Sequence, residues 1–450
     1  MDGRGDYGVA PVGGRPPHPS FAEALRVWIK VGLLSFGGPA GQIALMHREL
    51  VERRRWISDS RFLHALNYCM LLPGPEAQQL AIYTGWLLHR VWGGIIAGVL
   101  FVLPGALLMG IISVVYVLYG SVPAVDAAFY GLKPAVMAIV AAAVLRIGRK
   151  ALRNGTMWAI SAAAFVAIFF FSVPFPLIVL LAAVLGLAGG HWFPGPFGAT
   201  RPSGGSAFDE SPCVVDDSAA SLFGRPSLPR AVGTAAVWTL VWLAPVAACW
   251  AIFGRNNVLT TEGLFFSKAA LVTFGGAYAV LPYVAQQAVE THGWLTATQT
   301  MDGLALAETT PGPLILVLQF VGFLGGWNAP GALPPLLTAM LAAALTSWVT
   351  FIPGFLFIFV GGPFIEAGRG SKHWNAALTA VTAAVVGVIL NLSVWFAWHV
   401  VVPQPGSFQA TPLALSVVFL LLLIRTKLDI LWIVALGAAA GLVLRLGGLA

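Results

Sequence analysis

Apolar residues dominate this chain in long runs, and the runs are punctuated by Gly and Pro more than by charge. Nine of them read as full helical spans: 91–118, 126–146, 156–171, 175–190, 231–253, 333–360, 375–398, 411–424 and 428–447. Other runs are interrupted. Residues 24–46 break at Phe36-Gly-Gly-Pro39, and residues 59–90 break at Pro73-Gly-Pro75. Residues 262–284 and 298–327 carry matching breaks, at Phe274-Gly-Gly276 and Pro311-Gly-Pro313. As one straight helix, 59–90 would run about 48 Å, against ~30 Å of hydrocarbon in a bilayer. Arg61 and Arg90 flank its two ends. The pattern predicts re-entrant hairpins of broken helix that enter and return on one side.

The halves repeat each other. Lys30 and Phe36-Gly37-Gly38 align with Lys268 and Phe274-Gly275-Gly276. Trp56 aligns with Trp294, and Pro73-Gly74-Pro75 with Pro311-Gly312-Pro313, all at one offset of 238 residues. Further on, Pro104-Gly105 aligns with Pro353-Gly354 after an insertion. The loop at 46–58 holds Arg48, Arg53, Arg54 and Arg55, whereas 284–296 holds no Lys or Arg. Arg146, Arg149, Lys150 and Arg153 crowd 146–153, while 386–403 has no cation. The bias reverses where uncharged 120–125 faces Arg369 and Lys372. Loops rich in Lys and Arg stay in the cytoplasm, so equivalent loops face opposite sides. The expected fold is an all-α polytopic membrane protein, its halves an inverted repeat. The span at 231–253 has no partner in the first half and supplies the odd crossing. The domain reading is a disordered tail (1–20), a first repeat (21–190), a cytoplasmic linker (191–229) and a second repeat (230–450). The linker carries six prolines and the acids Asp209, Glu210, Asp216 and Asp217, and reads as solvated.

Composition agrees. Only 10 % of the 450 residues are charged, 58 % are hydrophobic, and the mean hydropathy is +0.84. A soluble enzyme, a nucleic-acid module and a disordered scaffold are excluded. The net charge of +7 belongs to the loops and not to a nucleic-acid surface. Cys69, Cys213 and Cys249 have no metal or disulfide spacing, and no cofactor motif is present. No Ser/His/Asp set, HExxH or Walker loop occurs, so neither an enzyme nor an ATP-driven pump is expected from this chain.

The breaks are the candidate sites. A broken helix leaves unpaired N–H groups at its new N-terminus, and with the helix dipole these suit an anion. Glycine leaves room for approach to the backbone, and Pro75 and Pro313 suit a first helical turn. The candidate substrate-binding set is Lys30, Phe36, Gly37, Gly38, Gln42, Pro73, Gly74, Pro75, Gln78 and Gln79, with Lys268, Phe274, Gly275, Gly276, Thr310, Pro311, Gly312 and Pro313. Lys30 and Lys268 would supply positive charge. Glu76 and Glu308 beside the breaks are proton-coupling candidates, since charge buried in a membrane is costly and functional.

Phe36-Gly-Gly-Pro-Ala-Gly-Gln42, the Arg-rich loop ending in Trp56, and Leu72-Pro-Gly-Pro-Glu-Ala-Gln-Gln79 resemble the bacterial chromate transporter family. The second half resembles its second homologous domain, with Ala277 in place of Pro39 and Leu314 in place of Glu76. The resemblance implies efflux of chromate, a tetrahedral divalent oxyanion, across the cell (inner) membrane. The electrochemical gradient would drive it, and it would confer chromate resistance. It also implies short members that work as pairs, and a homodimer is a further expectation here. A sulfate-type oxyanion carrier and an anion channel are the alternatives.

Overall fold

The computed structural model describes residues 16–35, 38–120, 122–193, 195, 212–215, 227–274, 276–367, 372–402, 407–426, 428 and 430–447. Phe36, Gly37 and Gly275 lie outside these residues, as do the first 15 residues and most of 191–229. The first half holds α1 (Phe21–Leu33), α2 (Gly38–His47), α3 (Asp59–Cys69), α4 (Glu76–Tyr119), α5 (Pro123–Ala151), α6 (Gly155–Phe171) and α7 (Phe175–Trp192). Next comes α8 (Leu228–Phe253). The second half holds α9 (Val258–Val272), α10 (Ala277–Gln286), α11 (Ala297–Thr309), α12 (Val317–Asn328), α13 (Pro335–Ala367), α14 (Lys372–Val401), α15 (Ala410–Arg425) and α16 (Ile430–Leu446). Among the described residues there is no β-strand, only one isolated bridge, between Ile57 and Val215.

Caps set the starts. Ser20 and Glu23 form a reciprocal capping box on α1, and Thr296 and Gln299 form one on α11. Ser58 caps α3, one repeat offset from Thr296. The breaks predicted at Pro-Gly-Pro are present, and α4 then loses helical geometry at His89 (φ −133°, ψ 32°) and Arg90 (φ 56°, ψ −150°). Residues 59–88 therefore form the hairpin, and the span starts afterwards.

The repeat is visible element by element. A π-helical turn follows α2 and α10, at Arg48–Arg53 and Gln287–Thr291. Left-handed backbone recurs at the same offset: Gly38 and Gly276, Gly74 and Gly312, Arg55 and Gly293. The orientation follows from α4 and α13, which occupy equivalent places. A Cβ on Gly94 would meet Phe359, and one on Gly98 would meet Phe355. Numbers rise along one helix as they fall along the other, so the equivalent helices are antiparallel and the repeat is inverted.

The halves also exchange helices. α5 of the first half packs on α15 and α16 of the second, while α14 of the second packs on α6 and α7 of the first. Small residues permit close approach. A Cβ on Gly131 would lie 2.0 Å from the Gly437 carbonyl oxygen, and one on Gly441 2.2 Å from that of Ala127.

Lipid is the solvent for the outside of this bundle. Among the described residues, six helices (α4, α5, α7, α8, α13 and α14) are long and apolar enough to cross a membrane, and α6, α15 and α16 are shorter apolar helices. On α8, Leu240 is 69 % and Ile252 71 % exposed, an area of bare hydrocarbon that water would not tolerate. The linker differs from the sequence reading at one place. The Val214 N–H donates to the Arg55 carbonyl at 3.1 Å, and the Val215 N–H to the Trp56 carbonyl at 2.9 Å. Cys213 and Val215 are buried there, so this piece docks on the Arg-rich loop instead of lying in solvent. The acids Asp209, Glu210, Asp216 and Asp217 lie outside the described residues.

Candidate functional site

Each hairpin has a first arm that ends at its break and a second arm that starts there. Hence α1, α3, α9 and α11 bring C-terminal carbonyls toward the breaks, while α2, α4, α10 and the turn at Leu314–Leu316 bring N-terminal N–H groups. Two reciprocal hydrogen bonds tie the halves together. The Gly74 N–H donates to the Thr273 carbonyl at 2.7 Å, and the Gly312 N–H donates to the Ser35 carbonyl at 2.8 Å. Donors and acceptors are each related by the same 238-residue offset, as a two-fold axis between the halves requires.

These bonds change the role expected of two glycines. The Gly74 and Gly312 N–H groups are already engaged and do not face an anion. Glycine is needed there because φ is +115° and +103°. Gly38 and Gly276 have φ of +70° and +91° at the starts of α2 and α10, and a Cβ on either would touch nothing within 4 Å.

The glutamines brace the breaks. Gln42 Nε2 donates to the Gly312 carbonyl at 2.7 Å and to the Ser35 carbonyl at 3.3 Å. Gln79 Nε2 donates to the Pro73 carbonyl at 2.7 Å, and Gln78 Nε2 to that of Phe351 at 3.4 Å. Their carboxamide oxygens are buried without a hydrogen-bond partner in the protein. Gln42 has both Nε2 hydrogens on carbonyls, while Gln78 and Gln79 have one each so engaged. Gly105 of α4 lies against Pro311 and Gly312, and Gly354 of α13 lies against Gln78 and Gln79, again reciprocally. Pro75, Thr310, Pro311 and Pro313 are buried at this centre, while Pro73 and Phe274 are half-buried at its edge. The Thr310 hydroxyl turns back on the Ala307 carbonyl at 3.2 Å.

Electrostatically, the negative ends of α1 and α9 are met by glycine N–H groups from the opposite half. The first-turn N–H groups of α2, α4 and α10 have no intrahelical partner and carry the positive dipole ends. The matched lysines are elsewhere. Lys30 Nζ lies 2.9 Å from Glu49, which Arg53 also contacts at 2.8 Å and Arg54 at 3.7 Å. Burial works to raise the Glu49 carboxyl, but the Lys30 hydrogen bond and the three cations outweigh it and hold it below the ordinary range. Lys268 is exposed on α9. The structure does not bring the two lysines together at the breaks. Glu76 is half-buried on the first turn of α4, and Glu308 accepts a hydrogen bond from the Tyr278 hydroxyl beside the second break.

Other charged groups emerge only from the three-dimensional arrangement. On the side of the Arg-rich loop, Arg61 and the Tyr83 hydroxyl both donate to Glu366 of α13, in a buried cluster. At the opposite end, the Tyr116 hydroxyl of α4 donates to Asp302 of α11 at 2.8 Å. Helix α3 is the repeat partner of α11, and α13 that of α4. Each hairpin is thus latched to the end of the other half's long helix. Glu262 is fully buried against Gly325, both oxygens without a hydrogen-bond partner. The only sequence signal for Asp302 and Glu262 was a lone acid in an apolar stretch.

Comparison with known proteins places the chain in a family. The family model described as Chromate transporter matches residues 22–187 and again residues 262–442. A chromate transport protein of Pseudomonas aeruginosa is 36 % identical over 379 residues, covering 83 % of this chain and 80 % of the relative. A chromate transport protein of Cupriavidus metallidurans is 30 % identical over 428 residues, covering 95 % and 94 %. The uncharacterized transporter YwrB of Bacillus subtilis is 32 % identical over 139 residues, only 30 % of this chain but 69 % of that protein. No solved structure matches.

Proposed function

The chain belongs to the chromate transporter family, and from this premise we propose that it is a secondary active transporter. It exports chromate across the bacterial inner membrane and so confers resistance. The observation that carries the reading is the reciprocal pair of glycine bonds, which draws the broken helices of both halves to one centre. Substrate is held there by the N-terminal N–H groups that open α2, α4 and α10, with Gly38 and Gly276 leaving the approach clear. A tetrahedral dianion presents four oxygens to converging donors, and sulfate shares its shape and charge. Glu76 and Glu308 are the carboxyls placed to exchange protons beside the bound anion. Inverted repeats with broken helices near the midplane are the usual architecture of alternating access, which a channel does not need.

Inside-out vesicles test this. Chromate should accumulate against its gradient, the accumulation should collapse with the membrane potential or proton gradient, and sulfate should compete. Equilibration without accumulation would leave a channel. Sulfate uptake that excludes chromate would reassign the substrate.

A further inference from the structure

At the end of the molecule opposite the Arg-rich loop lies a cavity of about 290 Å³ between α4, α5, α11 and α12. Tyr116, Asp126, Lys133, Gln299, Asp302 and Asn328 line it. We propose that Asp302 is a protonation site on the outer face, and that its proton controls whether Lys133 is available to an oxyanion. The proposal rests on the anion-transport reading above but invokes none of the residues at the helix breaks.

Three observations carry it. Asp302 is only 4 % exposed, yet it lines the cavity. Its Oδ2 accepts from Tyr116 at 2.8 Å, while its Oδ1 is buried with no hydrogen-bond partner. An ionised carboxylate with a bare buried oxygen is costly, and protonation of the carboxyl removes that cost. The third is the charge balance. The groups that face Asp302 are Tyr116 from α4 and Lys133 and Asp126 from α5; Arg445 of α16 is tied to Asp126 and does not line the cavity. Of the remaining neighbours, α12 carries no titratable group, and α14 carries Lys372, His373 and His399 only toward its ends. Because Arg445 neutralises Asp126 from outside the cavity, an ionised Asp302 balances Lys133 and the cluster is neutral. With Asp302 protonated, Lys133 is uncompensated and the cavity is positive.

The step is a proton transfer. A hydronium ion of the outer water passes its proton to the Asp302 carboxylate and is left as water, the O–H bond forms, and a dianion becomes the counter-ion of Lys133. When the proton returns to the outer water, the carboxylate reclaims Lys133 and the anion is released. By linkage, anion and proton each favour the binding of the other. An exporter facing a neutral medium thereby gains a release switch at its exit.

The experiment uses the purified full chain in detergent, with sulfate as the probe because it stays a dianion across the working pH range. Chromate is run in parallel; its own protonation cancels when variants are compared at the same pH. Anion affinity of the wild type should weaken by about tenfold from mildly acidic to mildly alkaline pH, a change of 1.4 kcal/mol. D302N should bind with little pH dependence, near the acid-form affinity. D302E should keep the dependence, and K133Q should bind weakly throughout. A D302N variant that follows the wild-type profile overturns the proposal. Infrared difference spectra recorded against pH, with no anion present, supply an independent arm. A protonated-carboxyl band should titrate in the wild type, shift in D302E and vanish in D302N; an unchanged band in D302N also overturns it. If the wild type neither binds nor moves chromate or sulfate, the transport reading falls, and the infrared arm still judges Asp302. If D302N does not fold, D302E and K133Q decide: a wild-type band position in D302E together with wild-type affinity in K133Q refutes the site.

Discussion

At the scale of single residues, the glycines divide into two physical classes. Gly38 needs only its positive φ, because a Cβ would meet nothing within 4 Å. Gly38→Ala should therefore cost about 1–2 kcal/mol, the usual penalty of left-handed backbone for an L residue. Gly105 is held by space: a Cβ would sit 2.2 Å from the Pro311 carbonyl oxygen. Gly105→Ala should separate the halves at their centre, and thermal melts in detergent should show far less folded protein than for Gly38→Ala. Glu49 gives a pH prediction. Its carboxyl is held low in the folded state, so its contribution is complete above the ordinary carboxylate value of 4.5 and is lost as pH falls through the lowered one. Acid unfolding should begin at higher pH in Lys30→Gln than in wild type, and Glu49→Gln should lack that component. The same contacts show why the lysines misled. Sequence gives the spacing of Lys30 from Phe36, but not that the chain folds back to place Glu49 beside it.

At the scale of elements, most of the architecture was legible. Gly and Pro mark helix breaks directly, because they act on the backbone of their own residue. The Arg-rich loops reported sidedness for a similarly local reason, and the capping residues fixed where α1, α3 and α11 begin. The latches and the exchange of α5 and α14 depend on partners hundreds of residues away, and no local pattern encodes them. Asp302 was overlooked for that reason: alone in sequence, it acquires meaning only when α4 and α5 bring Tyr116 and Lys133 to it. The buried latch between α3 and α13 yields a prediction. Arg61→Met leaves Glu366 buried with its main cation gone, which should cost about 3–5 kcal/mol. The double variant Arg61→Met with Glu366→Leu should recover much of that loss. Unfolding of the two variants in detergent checks this, and strictly additive effects would mean the pair contributes no coupling.

At the scale of the whole molecule, inversion and exchange make separate predictions. Single cysteines replacing exposed Arg48 and Thr291 should react with an impermeant thiol reagent from opposite faces of the membrane. Labelling of both from one face would remove the inverted repeat. A chain cut between Val215 and Leu228 should work when both pieces are made together and copurify, while neither piece alone should transport. The exchange of helices also orders events in time. A ribosome delivers α6 and α7 well before α14, the helix they pack upon, and α5 before α15 and α16. Until the second half is inserted, the first must wait in the bilayer with those faces turned to lipid or to the insertion machinery. Its small-residue seams, such as Gly186 against Ala376 and Ala377, are the surfaces that a quality-control protease would find open in a stalled or truncated chain. Folding of this protein is then completed late, by the arrival of its last helices, and damage near the C-terminus should be felt first in the stability of the N-terminal half.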